Sequence, residues 1–313
     1  MPKWLWVLVG LFVAVVLVAV SCGVGVLLGA GLSNGFGVGD AVAVIRINGT
    51  IQGGSGGGGI LSAGGAYSNV IVDNLRKAAA NGSVKAIVLR VDSPGGGVTP
   101  TDEIYNEIIK TKGAGKVVDA SMGSLAASGG YYVCAAADKI VANKTTLTGS
   151  IGVISIAPSF DELLKKLGIR TQVFRSGIHK DESSGFRPMT EEEERVWQSI
   201  IDDAFGQFVS VVAEGRKMEV SRVRELADGR VYTATQAREA GLIDEYGDLA
   251  EAIDLAAEMA GIVGKPRIVE YERRGLWDSL LGYVFHPSPV SEIEELLGLK
   301  RQPTLQYLYI GSQ

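Results

Sequence analysis

The chain has 313 residues, 42 of them glycine, and a formal net charge of −5. This length allows one large domain or two modest ones, and the glycines follow no triplet period, which excludes collagen and predicts many tight turns. No basic stripe of the kind a phosphate backbone needs is present, so nucleic acid is excluded as a partner.

From Trp4 to Gly39 there is no charged residue, and "WLWVLVGLFVAVVLVAV" is apolar on every side. About 20 such residues cross the hydrocarbon layer of a bilayer, so residues 1–32 read as a cytoplasmic N-terminus and a single transmembrane anchor. A cleaved signal peptide or a lipoprotein box at "AVSC" is the lesser reading, because the apolar run continues to Leu32. Lys3 precedes the helix and the first charge after it is Asp40, so the N-terminus is expected in the cytoplasm and the remainder outside the cell membrane.

Residues 33–66 hold a Gly-rich exit, a first strand in "AVAVIRING" and a mobile loop in "GGSGGGGILSAGG". Residues 67–262 then alternate between strand and helix. "SNVIVDNLRKAAAN" has helical spacing, "VKAIVLRV" is a strand apolar on both faces, residues 99–112 are helical, "GKVVDAS" is a strand and "SLAASGGYYVCAAAD" is helix-like. Strands are also expected in "KIVA", "GVISIA" and "RTQVFRS", with a short helix at 159–167. Strand and helix in alternation imply right-handed crossovers and a parallel sheet. From 190 the chain turns mainly helical, with Thr190 as a cap and Glu191 to Glu194 at the positive end of the helix dipole. Residues 263–313 form a tail expected to dock on the rest. Cys22 and Cys134 read as small apolar filler, and no group has metal-ligand spacing, so neither a metal nor a cofactor is expected.

Two segments carry chemistry. Ser128, in "AASGG", sits where small neighbours let the backbone turn sharply and expose a hydroxyl, although a serine at a helix start is more often a cap. "DSPGGG", residues 92–97, lies at the carboxyl end of a strand, where parallel sheets bind ligands, and its glycines leave amides free to approach a carbonyl. If Ser128 is a nucleophile, its proton acceptor must come from "SGIHKD", which offers both His179 and Lys180. A lysine serves if burial lowers its pKa. Local sequence does not choose between the two.

The ordered set "DSPGGG", "SMGSLAASGGYY", "AADKIVA", "TLTGSIGVI", "SGIHKD", "MTEEE" and "ADGRVYTATQAREAGLIDE" resembles the signal peptide peptidase A family. These are membrane-bound serine proteases of the Ser/Lys type. The resemblance covers roughly residues 40–261, in a single-repeat form. It implies an α/β fold of the Clp protease/crotonase type, with repeated ββα units and a parallel sheet behind one transmembrane helix. It also implies Ser128 as nucleophile, Lys180 as general base, Gly96 and Gly129 as oxyanion donors, and Ser150 as the hydroxyl that orients the lysine. His179 becomes a neighbour. The implied substrates are cleaved signal peptides or other short apolar peptides, the implied surroundings are the lipid bilayer, and the implied assembly is a homo-oligomer whose subunits help build each site. A crotonase-like acyl-CoA enzyme and an inactive scaffold of the same fold are the rival readings. Asp119, in a strand where an apolar or small residue is more natural, departs from expectation.

Overall fold

The computed structural model describes residues 39–54, 65–271 and 305–309. The predicted transmembrane segment, the Gly-rich loop at 55–64 and most of the tail lie outside the described residues. Among the described residues no helix is long and apolar enough to cross a membrane.

The elements run β1 (Ala41–Asn48), β2 (Ile51–Gln52), β3 (Ala66–Tyr67), α1 (Ser68–Ala80), β4 (Val84–Ser93), β5 (Gly95–Gly97), α2 (Val98–Gly113), β6 (Val117–Ala127), α3 (Gly129–Ala135), β7 (Ile140–Ala142), β8 (Leu147–Gly149), α4 (Asp161–Lys166), α5 (Glu191–Arg216), α6 (Val220–Leu226), β9 (Val231–Thr233), α7 (Ala234–Glu239), β10 (Glu245–Tyr246), α8 (Leu249–Met259), β11 (Arg267–Tyr271) and β12 (Gln306–Leu308). All belong to one compact unit, Asp40–Gln313.

The main sheet has the order β10-β7-β6-β4-β1-β11, and every pair on this path is parallel. β8 pairs parallel with the far end of β6, and β9 joins it antiparallel. Strand alternation divides the core between the two faces. Ala43, Ile45, Ile87 and Leu89 join the larger cluster with α1, α2 and α3, whereas Val42, Val44, Ala86 and Val88 pack under α8 through Ala252, Ile253 and Ala256. Burial on both faces explains why β1 and β4 read as continuous apolar runs rather than alternating ones.

A second, smaller sheet, β12-β5-β2-β3, crosses the carboxyl ends of the first. Two described pieces of the tail complete these sheets: β11 flanks β1, and β12 pairs antiparallel with β5.

Two expected strands differ. "GVISIA" keeps a single bridge, Ile154 to Gln306, and "RTQVFRS" forms no strand. A strand exists only with a partner ladder, and residues 170–176 are exposed throughout, with no strand among the described residues beside them. The predicted helix at 159–167 is α4. The helix expected from Ser124 begins later, at Gly129, because residues 124–127 extend β6.

Candidate active site

The bottom of the site is the turn from β6 into α3. Ser128 takes φ 52° and ψ −118°, a backbone region that a side chain with Cβ enters only under strain. It stands at the cap position of α3, yet its hydroxyl makes no cap bond to the helix. The side chain is therefore not occupied by the commonest role of a serine in this place. Ser128 is 1% exposed.

Ser150 follows directly on β8, the strand beside this end of β6. The register pairs Ala127 with Gly149, and the Ser128 amide donates to the Gly149 carbonyl at 2.7 Å. Ser150 also has a left-handed backbone, φ 50°, held by its amide donating to Arg230 O at 2.8 Å.

Close backbone contact explains the glycines. A Cβ on Gly95 would lie 2.6 Å from the Gly129 amide nitrogen, and one on Gly129 would lie 3.1 Å from Gly95 Cα. One on Gly96 would meet Ile51 O at 2.0 Å. Only glycine lets the two segments approach so closely. The β5 turn is fastened by Ser93, whose hydroxyl donates to Gly49 O at 2.7 Å and accepts the Gly95 amide at 3.1 Å. Sequence reading passed over Ser93, although its place in "DSPGGG" was the available signal.

The gap between these glycines holds a carbonyl. β12 lies on β5 with Tyr307 opposite Gly96, and a Cβ on Gly129 would lie 3.1 Å from Tyr307 O. The Gly129 amide makes no hydrogen bond to that oxygen and stands beside it. A donor set for an oxyanion is aimed at where charge develops, not at the resting carbonyl.

Ser128, Gly129, Gly96 and Ser150 are thus brought together, whereas Lys180 is not joined to them by any described contact. It is exposed, on a turn at 177–183 that is otherwise partly half-buried and whose backbone bonds stay local. Arg187 clamps that turn: its guanidinium donates to Asp181 at 2.8 and 3.0 Å and to Glu193 at 2.5 and 2.8 Å. Arg175 bonds Asp181 as well. The guanidinium beside each carboxylate holds both Asp181 and Glu193 below the ordinary carboxylate range. The spacing of this cluster gave no metal signal, yet the fold brings His179, Glu182 and Glu193 within 4.8 Å of one another. Both Glu193 oxygens are already engaged by Arg187, and one also accepts the Thr190 amide. These three side chains are therefore not a free donor set.

The same stretch of chain carries several uncovered apolar side chains, including Ile156 (62% exposed), Leu167 (63%), Phe174 (90%) and Ile178 (66%).

Asp119 is fully buried in β6. Burial, reinforced by the charge of Asp138, pushes its carboxyl up to about 7, against one bond from the Lys139 amide. Its second oxygen has no partner among the described residues.

The class defined by this fold and these turns is the Clp protease-like α/β fold with a mostly parallel sheet, and the Clp protease signature matches residues 63–148. Peptidase family S49 matches residues 110–263. The chain is 38% identical over 214 residues to a Methanocaldococcus jannaschii protein provisionally named a protease, covering 67% of each chain. It is 39% identical over 228 residues to an Enterococcus faecium protein provisionally named signal peptide peptidase SppA, covering 72% of this chain and 64% of that one. With Protease 4 of Haemophilus influenzae it shares 30% identity over 299 residues, 88% of this chain and 47% of the relative. The chain therefore spans less than two thirds of the length of the latter two. It belongs to peptidase family S49.

Proposed function

We propose that this chain is a membrane-tethered serine endopeptidase in which Ser128 attacks the substrate carbonyl and Lys180 accepts its proton. The observation that carries this reading is Ser128 itself: a strained backbone keeps an uncapped hydroxyl beside two glycine segments, and one of these already holds an extended peptide. In the reaction the Ser128 oxygen adds to the carbonyl carbon while the Gly96 and Gly129 amides stabilise the developing oxyanion. Lysine then returns the proton to the leaving amine, and water hydrolyses the acyl-enzyme. Ser150 sits within the same set of turns and supplies the hydroxyl that orients the lysine.

A lysine exposed in one chain is a poor base, since water keeps its ammonium charged. The uncovered apolar side chains of residues 156–178 support assembly as a homo-oligomer, in which a neighbouring copy covers the turn and desolvates the amine. The apolar residues 4–32 support a single membrane anchor, with the catalytic unit on the outer face. Substrates are accordingly signal peptides or other short apolar peptides released at that membrane.

The test is labelling with a fluorophosphonate and hydrolysis of a mixed peptide library by the wild type, Ser128→Ala and Lys180→Ala. The wild type should label at Ser128 and cleave, and both variants should fold and fail to cleave. Unchanged hydrolysis by Ser128→Ala, or loss in His179→Ala with retention in Lys180→Ala, overturns the assignment.

A further inference from the structure

β6 changes partners on its way to Ser128. Ala120 to Met122 pair with Ile140 to Ala142 of β7, and Leu125 to Ala127 pair with Leu147 to Gly149 of β8. On its other edge the register against β4 shifts at the same place. Val91 lies opposite Met122 and Ser93 opposite Ala126, so a single β4 residue, Asp92, spans Gly123, Ser124 and Leu125. Extra residues in one strand lose their ladder partners, and their backbone amides need an acceptor from elsewhere.

Asp92 supplies that acceptor. Its Oδ1 accepts the Leu125 amide at 3.1 Å. The carboxylate lies against Gly123, where a Cβ would come 2.7 Å from Asp92 Cγ, so the bulge admits no side chain at that point. The Asp92 carbonyl accepts the Gly49 amide at 2.9 Å, which ties the same residue to the turn after β1. Two fully buried hydroxyls hold the bulge from the β8 side: Thr146 donates to Gly123 O at 2.7 Å and Thr148 to Ala126 O at 2.6 Å.

Both ends of this fastening lie close to the site in the chain. Leu125 is three residues before Ser128, and Asp92 is three residues before Gly95 and four before Gly96. The ladder that restarts at Leu125 ends with the Ser128 amide on Gly149 O. One side chain thus fixes the strand that carries the serine against the strand that leads into the glycines.

We infer that Asp92 is a positioning residue for Ser128: its carboxylate fills the bulge of β6 and sets the register of the serine against the Gly95–Gly97 turn. This rests on the serine peptidase reading above. The role requires an acceptor oxygen at one place rather than a negative charge, because the group it holds is a neutral amide.

The test compares the full chain as wild type, Asp92→Ala, Asp92→Asn and Asp92→Glu by fluorophosphonate labelling rate per folded molecule, by kcat and KM on one peptide, and by thermal melts. Asparagine keeps an oxygen in the place of Oδ1, so Asp92→Asn should label and turn over within about threefold of wild type. Alanine leaves the Leu125 amide without its acceptor, and glutamate carries the acceptor one methylene too far. Both should lower labelling rate and kcat together by about 10- to 100-fold, the scale of a misplacement of order 1 Å, with KM nearly unchanged. If Asp92→Ala does not fold, Asp92→Glu against Asp92→Asn decides the same question. Folded Ala and Glu variants that label and turn over at the wild-type rate, however far their melting temperatures fall, make Asp92 a residue of stability alone and overturn this inference. An Asn variant as slow as the Ala variant overturns it too, since the effect then lies in the charge. A wild type that neither labels nor cleaves overturns the peptidase reading, and this inference with it.

Discussion

Ser128 and Ser150 follow directly on the paired carboxyl ends of β6 and β8, linked by the 2.7 Å bond from the Ser128 amide to Gly149 O, and both have positive φ. Two non-glycine residues in that region on adjacent strands are a local cost of order 1–3 kcal/mol each, tolerated because the surrounding ladder leaves no alternative.

The strain gives the first prediction. Ser128→Gly should be at least as stable as wild type, by up to about 1 kcal/mol, since relief of strain exceeds the extra entropy of an unfolded glycine. It should have no hydrolytic activity. Urea denaturation followed by circular dichroism measures the first effect, and a loss of stability would contradict the strain argument.

Gly95 should not tolerate even a methyl group. A Cβ there would sit 2.0 Å from Tyr307 O and 2.6 Å from the Gly129 nitrogen, on a backbone with φ 97°. Gly95→Ala should lower kcat/KM by more than about 100-fold, in line with loss of an oxyanion contact. Gly113→Ala, where nothing lies within 4 Å, should leave it unchanged.

Lys180 should behave as a base and Arg187 as the residue that positions it. Lys180→Ala should reduce kcat by about 10²- to 10⁴-fold, the usual share of a general base. Arg187→Leu leaves Asp181 held by Arg175 alone and cuts its link through the guanidinium to Glu193, which loosens the neighbouring turn. It should lower kcat with KM nearly unchanged, and Arg187→Lys should rescue it only in part, because a lysine cannot bridge two carboxylates with the same fork. Steady-state kinetics on one peptide decides this.

Phe174→Asp should weaken self-association. A charge on a side chain that is 90% exposed costs the single chain nothing, but it is unfavourable in an apolar contact between copies. Sedimentation velocity should show smaller species, with a parallel fall in activity. Unchanged assembly would place the contact elsewhere.

Asp119 predicts a pH dependence. Its folded pKa, about 7, lies above the ordinary value of 3.8. Between those values the folded state keeps a proton that the unfolded state releases, so stability falls as pH rises from about 4 to 7, and the loss is complete above that range. Asp119→Asn should therefore exceed wild type by more near pH 8 than near pH 5, the gap widening by on the order of a few kcal/mol between the two. Thermal melts at the two pH values measure the difference.

The strands at 41–48, 84–93 and 117–127 were legible because buried parallel strands are written as apolar β-branched runs ending in turn residues. "DSPGGG" and "AASGG" were legible because backbones in near contact admit only glycine. The arm at 152–176 misled: its β-branched residues have strand propensity, but a strand requires a partner, and among the described residues Ile154 has a single bridge, to Gln306. The pocket that Tyr132, Phe208 and Ala204 form around Tyr307 left no local pattern, since it joins α3 to α5, and the clamp of Arg187 on Asp181 and Glu193, six residues away on either side, rests on side-chain geometry without a periodic signature.

The sequence by itself determined the alternating α/β order and the two glycine turns, because periodicity, turn chemistry and close backbone approach are local constraints that each residue must satisfy where it stands, and its ordered motifs carried the family resemblance. Only the tertiary structure decided that Ser128 leaves the capping role unfilled and is held in a strained turn, that Lys180 lies exposed on a clamped loop, and that Tyr307, 179 residues beyond Ser128 in the chain, lies with its carbonyl between the glycines. The placing of Tyr307 is a relation between distant segments, fixed by strand register and packing, and the other two depend on backbone strain and side-chain geometry that no periodicity of the sequence encodes.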